Sequence, residues 1–468
     1  MRLIAALTLA CVSFSTLAYT PLSYLPEGSR SSLVLESLTT STDQVKLNTE
    51  QLYPPASTLK LVTALAAKLE LGDDFHFSTS IYRQGSDALI KFSGDPTLTR
   101  EHIKLLLKQY STQFSNTIKG NIWLDNTAFT GYQRAVGWPW DILGVCYSAP
   151  ATAITLDENC AQASIYTQQD GNTRVYIPAH YPIEVATHAS TVSKSGQKAT
   201  QCDLELITSP NNQYRLSGCL VERKKPLPLK FAIQNPELYT QDVVLQLIKE
   251  LRIKFDGGIF IGQPLNKAKP LLVASHQSVK LPDLLDTMLK KSDNLIADNL
   301  TKALGGHFYV QAGSFNNGTE AIKQILLTKA SIDIRNAQLA DGSGLSRNNR
   351  MTSSDMSQVL RYIWTHNDKL GLIDALPTSG QSGTLKYRSS MRKAPIEGQI
   401  LAKSGSLYGS YNMAGYGLNE HGNPSSLFVQ FVSDYHPQKR DNDTPVVAPI
   451  VQFEKAFYND IIKFSQSN

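Results

Sequence analysis

The feature that most limits what this chain can become is a serine and a lysine three residues apart at the start of an apolar helix. Ser57-Thr58-Leu59-Lys60 follows Pro54-Pro55-Ala56 and leads into Leu61, Val62, Leu65, Ala66 and Leu69. Residues three apart on a helix share a face. Serine is a weak nucleophile at neutral pH and needs a base beside it. A lysine serves as that base when burial lowers its pKa toward neutrality. A helix start also offers unpaired N–H groups and partial positive charge, which favour a developing oxyanion. The pattern predicts a buried helix from Ala56 to about Gly72, with Ser57 and Lys60 facing one cleft.

Two further motifs follow along the chain. Ser292-Asp293-Asn294 comes after the helical run 284–290. Its serine is suited to relaying a proton, and Asn294 to holding a substrate amide. Lys403-Ser404-Gly405 follows Ile400-Leu401-Ala402 and precedes a strand-prone stretch. A cation and a hydroxyl on a cleft-lining strand can grip a carboxylate. Gly405 would let substrate approach the backbone closely. The N–H of Ser406 would complete an oxyanion hole with that of Ser57. Each motif alone is weak. S-x-x-K recurs at 195–198 and 390–393, and S-x-N begins also at Ser209, Ser314, Ser346 and Ser410. Only Ser57 opens an apolar helix, and only one set of three falls in order within matching local patterns.

Composition and the N-terminus narrow the class. With 41% hydrophobic and 18% charged residues, the chain has material for buried cores and is not a disordered polymer. A net charge of +5 without a dense Lys/Arg block argues against a nucleic-acid binder. Arg2, the apolar run 3–12 and Thr16-Leu17-Ala18 read as a secretory signal peptide over residues 1–18. No other run is long and apolar enough for a membrane anchor. Cleavage would remove Cys11 and leave Cys146, Cys160, Cys202 and Cys219. Three pairings are possible, and the spacings favour two local loops, 146–160 and 202–219. Free thiols are the alternative, and export favours disulfides. No Cys/His pattern has metal spacing, so no metal or cofactor is expected.

The coarse reading is α+β at both ends with a β-rich middle. Short strands are expected at 33–38 and 44–48, and between 76 and 145 around a helix at 101–110. Alternating patterns run through 150–235, with 187–201 as a polar surface loop. Helical periodicity marks 240–252, 280–305, 318–331 and 354–364. Strands at 411–418 and 425–433 precede a closing helix at 446–464.

The three motifs together resemble the signature of the serine penicillin-recognising enzymes. The long interval between Lys60 and Ser292 is similar to that of the D-alanyl-D-alanine carboxypeptidase/endopeptidase family. These are the low-molecular-mass class C penicillin-binding proteins, peptidase family S13. Other stretches carry the same resemblance over about 25–460. They include Gly94-Asp95-Pro96-Thr97-Leu98, Gly137-Trp138-Pro139-Trp140-Asp141, Asp341-Gly342-Ser343-Gly344-Leu345-Ser346-Arg347 and Ser382-Gly383-Thr384-Leu385-Lys386. Two departures stand out. Lys-Ser-Gly replaces the usual Lys-Thr-Gly, and Ile142 follows Asp141 where a second polar residue is usual.

The resemblance implies a β-lactamase/transpeptidase-like catalytic domain, an antiparallel five-stranded sheet flanked by helices, from 19–75 and 276–468. An inserted β-rich domain would span 76–149 and 245–275, with a second β-rich domain, 150–244, nested in it. It implies that Lys60 deprotonates Ser57, which attacks the penultimate D-alanine of a peptidoglycan stem peptide. Ser292 and Asn294 would assist, and Lys403 and Ser404 would bind the terminal carboxylate. β-Lactam antibiotics would be covalent inhibitors, and the compartment would be the periplasm. By motif position Asp141, Tyr147 and Arg347 are candidates for a side-chain pocket. Trp138 and Trp140 read as core residues. The same motifs also fit a β-lactamase, although no deacylation glutamate is recognisable, or a non-catalytic cell-wall or β-lactam binding protein. No pattern speaks to oligomeric state.

Overall fold

The computed structural model describes residues 19–437 and 447–467. The expected signal peptide, with Cys11, lies outside the described residues.

A five-stranded antiparallel sheet forms the centre of the catalytic part. Its order is Ile400–Leu407, Ser410–Leu418, Pro424–Ser433, Arg30–Ser37 and Asp43–Leu47. Strand side chains alternate between faces, and both faces are buried here. Leu33, Leu35, Phe428 and Val432 point to a layer closed by the C-terminal helix Pro449–Ser467 through Phe453, Phe457 and Ile461. Val34, Leu427, Val429 and Phe431 point to the other layer, built from helices Lys60–Glu70, Leu281–Lys291, Asn294–Tyr309, Phe315–Ala330 and Ser353–Thr365. Leu281, Leu284, Leu285, Met288 and Leu289 recur at helical spacing and give that layer one apolar stripe.

The apolar period through 280–305 is carried by two helices. Leu281–Lys291 ends at Ser292, which takes the left-handed conformation with φ 59°. Asp293 caps the second helix, its Oδ1 accepting from the Ile296 N–H at 2.9 Å. Such a cap is worth about 1 kcal/mol. The Ser-Asp-Asn motif therefore occupies a break between two helices and presents its side chains sideways.

The first turn of the predicted helix at Ala56 is a 3-10 turn, Ala56–Leu59, before the α-helix Lys60–Glu70. A 3-10 turn eclipses residues i and i+3. Ser57 and Lys60 are thereby in line.

The interval between these parts holds further sheets. Ile259–Ile261, Ile122–Asp125, Asp87–Lys91, Ser78–Gln84 and Leu271–Gln277 form a mixed sheet covered by helices Arg100–Gln113 and Pro236–Glu250. The second helix begins at Asn235, which caps it, and runs across residue 245. Between them lie two small sheets. One is Leu227–Ala232, Cys160–Thr167 and Thr173–Tyr176. The other is Ser190–Val192, Gln213–Val221 and Leu204–Thr208, with Glu184–Thr187 also pairing to Gln213–Val221. The stretch 187–201, expected as a loop, is structured. Ser190–Val192 pairs in parallel with Cys219–Val221. The Ser193 hydroxyl then caps the short helix Lys194–Thr200 by accepting from Gly196 N–H. The disulfides are Cys146–Cys160 and Cys202–Cys219, the pairing the spacing favours.

Candidate active site

Lys60 is fully buried and donates from Nζ to three oxygens. These are Ser57 Oγ at 3.1 Å, Asn294 Oδ1 at 2.6 Å and the Ser343 carbonyl at 2.6 Å. Burial pushes its pKa down to about 8, against the opposing pull of Asp298, Asp341 and Asp293. Ser57 itself is half-buried and open to a ligand. Serine and base are thus in contact, with the base near neutrality, as nucleophilic catalysis requires.

The second lysine lies on the edge strand Ile400–Leu407. Lys403 is also fully buried. Its Nζ donates to Ser292 Oγ at 2.9 Å and to the Ser404 carbonyl at 2.7 Å. Burial, then the cations Lys60 and Arg388, hold its pKa well below the usual lysine range. An arriving carboxylate would restore its charge. The Ser404 hydroxyl lies 2.8 Å from Thr384 Oγ1, so a pair of hydroxyls faces the same place. Ser406 is exposed two residues further along the strand.

Gly405 has a role different from the one expected. A Cβ there would come within 3.0 Å of the Ser57 and Thr58 nitrogens and 2.9 Å of the Pro55 carbonyl oxygen. The close approach is by the turn that carries Ser57. Asn412 on the next strand fixes that turn by donating to the Pro54 carbonyl at 2.7 Å.

Asn294 is tied at both ends. Oδ1 accepts from Lys60, and Nδ2 donates to the Tyr147 carbonyl at 2.7 Å. The Tyr147 loop therefore reaches the buried Lys60 through one side chain. Tyr147 is exposed, and partial burial, then Asp141, raise its hydroxyl's pKa. Asp141 is exposed in the turn Trp140–Ile142. Arg347 is exposed and lines a separate cavity of about 240 Å³ with Arg30, Arg350 and Tyr408. Its backbone N–H donates to the Gly137 carbonyl at 3.0 Å. Asp141 and Tyr147 are thus neighbours, while Arg347 lines different space. Trp138 is buried as expected. Trp140 is 86% exposed, because its turn projects from the insert.

Asp298 escaped the motif reading, and Asp341 and Ser343, though within a quoted stretch, were given no role there. Asp298, fully buried, accepts from Gly342 N–H at 3.1 Å and Ser343 N–H at 3.0 Å. It thereby aims the Ser343 carbonyl at Lys60. Burial, then Asp341, push its carboxyl well above the usual range. Asp341 accepts from Gly344 N–H, Ser346 N–H, Asn349 Nδ2 and Trp138 Nε1, all within 2.8 Å. It ties the insert to the loop behind Ser57. Asp298 lies four residues beyond Asn294, one helical turn along the same face.

The sheet, the serine–lysine contact and the second lysine on the edge strand define an active-site-serine acyl-transfer enzyme of the penicillin-recognising class. The D-Ala-D-Ala carboxypeptidase 3 (S13) family matches residues 22–456, and the chain belongs to that family. As a member it is a serine-type D-Ala-D-Ala carboxypeptidase with an α+β penicillin-binding fold. D-alanyl-D-alanine carboxypeptidase DacB of Haemophilus influenzae is 36% identical over 450 residues, spanning 94% of this chain and 92% of the relative. The crystal structure of penicillin-binding protein 4 (dacB) from that organism covers 95% of this chain and 98% of its own, with a TM-score of 0.86 at 36% identity. A structure of the same H. influenzae protein complexed with a novel β-lactam covers the same shares, with a TM-score of 0.82 at 34% identity.

Among the described residues no helix is long and apolar enough to cross a membrane, and no cluster of His, Cys, Asp or Glu could hold a metal ion.

Proposed function

We propose that the protein cleaves the terminal D-Ala-D-Ala bond of peptidoglycan stem peptides through an acyl ester on Ser57, and also cleaves D,D cross-links. The observation that carries this reading is Lys60, buried, with a pKa of about 8, and 3.1 Å from Ser57 Oγ. Neutral Lys60 takes the Ser57 proton as Oγ attacks the penultimate D-alanine carbonyl. The N–H groups of Ser57 and Ser406 stabilise the oxyanion. Lys403, Ser404 and Thr384 bind the terminal carboxylate. The C–N bond breaks, and the departing amine takes the proton from Lys60, with Ser292 as relay. Water then attacks the ester, Lys60 takes its proton, and Oγ recovers one on release. Asn294 holds the Lys60 amine in place and contacts the substrate amide. A β-lactam would enter the same path and stay on Ser57.

Two disulfides fit an oxidising compartment. With the signal-like N-terminus they support the periplasm. We also infer a division into a catalytic unit, 19–75 with 276–468, and two inserted units. The inserted units are 76–149 with 245–275 and the nested 150–244, and the packing of Pro236–Glu250 on the mixed sheet supports taking that whole helix with the first of them. Asp141 and Tyr147 are placed to meet the stem-peptide side chain, and Arg347 a more distant anionic group.

The test is D-alanine release from a monomeric pentapeptide muropeptide, with and without prior benzylpenicillin. The reading predicts release that the drug blocks. Rapid destruction of the drug without D-alanine release would support a β-lactamase instead.

A further inference from the structure

A cavity of about 650 Å³ adjoins the Ser292-Asp293-Asn294 break. That lies within the ~300–1,000 Å³ of ordinary ligand pockets. The nested sheets form its far wall. Leu206 and Phe231 make an apolar surface, and Glu158, Lys230 and Lys291 place charges of both signs around it. Tyr147 and Ser292 line it as well, so it is continuous with the catalytic groups.

The wall is held in an unusual backbone. Asp157, Glu158 and Asn159 are three successive non-glycine residues with positive φ, of 50°, 59° and 48°. Hydrogen bonds hold the two flanking residues. Asp157 accepts from Arg100 N–H and the Tyr239 hydroxyl, and Asn159 donates to the Pro150 carbonyl. Strain kept in this way is commonly kept for a site. Glu158 has its carboxyl pushed up by partial burial, then by Asp293, with Lys230 and Lys291 opposing.

We propose that this cavity is the subsite for the departing stem peptide of a cross-link, a short peptide bearing both carboxylate and amine groups. The inference rests on the acyl-enzyme reading above. In that reading the departing amine takes its proton at Ser292, so the leaving chain emerges where Ser292 opens into the cavity. A free D-alanine would leave most of that volume empty, whereas a stem peptide uses it. The mixed charges match a zwitterionic peptide, and the apolar surface covers its backbone. The nested insert thus directs the enzyme toward cross-links.

The test compares Lys230→Glu and Glu158→Lys with the wild type on two substrates, a cross-linked muropeptide dimer and a monomeric pentapeptide muropeptide. Lys230 is exposed and Glu158 borders the cavity, and circular dichroism checks the folding of both variants. Dimer cleavage relative to D-alanine release from the monomer is expected to fall at least tenfold in both variants. A ratio within twofold of wild type, or a wild type that releases D-alanine but cleaves no dimer, would overturn the subsite. A wild type that takes up no benzylpenicillin would overturn the acyl-enzyme reading, and the subsite with it.

Discussion

Lys60 and Lys403, both buried and neither with a carboxylate hydrogen-bonded to its Nζ, are the unusual residues of the candidate site. Burying a cation without an adjacent anion lowers its pKa, and here that supplies a base. At pH 7 a lysine of pKa 10.5 is neutral in about one molecule in three thousand, and one of pKa about 8 in about one in ten. The sign follows directly. Acylation needs neutral Lys60, so its rate should rise about tenfold per pH unit and level off near pH 8. Stopped-flow acylation by a chromogenic cephalosporin measures this, and a limb still rising at pH 10 would contradict it. That Ser57, Lys60, Ser292, Asn294 and Lys403 converge was legible because the motifs put distinctive side chains at fixed spacings. The Ser343 carbonyl was not legible, since any residue supplies a carbonyl. Asp298 was hidden for a related reason. It acts on backbone N–H groups of a loop far away in sequence.

At the scale of elements, the site is made by places where regular structure stops. The break at Ser292 and Asp293 contains neither glycine nor proline, and apolar spacing continues through it. The helical period alone runs from 280 to 305, and only the motif marks the place where a left-handed residue and a cap make two helices. The 187–201 segment failed in the opposite way. Its short parallel pairing depends on the distant partner Cys219–Val221, which local polarity cannot reveal. The loop behind Ser57 is equally exacting. Gly344 has φ 80°, and a Cβ there would lie 1.9 Å from the Ala56 carbonyl oxygen. Gly344→Ala should displace the Ala56–Ser57 turn and lower the acylation rate about 100-fold, as misplacements of about 1 Å do. Circular dichroism should be unchanged. A rate within threefold of wild type would show that the turn is not held from this side.

Across the whole molecule, the inserted units are fastened to the catalytic part by specific bonds. Asn299 donates to the Gly94 carbonyl at 2.8 Å and to Thr155 Oγ1 at 3.1 Å. Lys302, buried, donates to the Tyr132 and Ala151 carbonyls, both at 2.8 Å. The α+β catalytic fold and the existence of inserts were legible from motif order and spacing. That Pro236–Glu250 joins the mixed sheet was not legible, because its apolar side meets residues distant in sequence. The Cys146–Cys160 disulfide holds the Tyr147 loop to the nested sheet. Removing it as Cys146→Ser/Cys160→Ser should cost about 3 kcal/mol in urea unfolding, from the loop it closes. An unchanged midpoint would mean that other contacts hold this loop. The central claim is a covalent intermediate on Ser57, and intact mass after benzylpenicillin tests it most directly, with Ser57→Ala alongside. The account predicts one penicillin added to the wild type and none to the variant. An adduct that persists in Ser57→Ala, or no adduct on wild type while the drug stays intact, would contradict it.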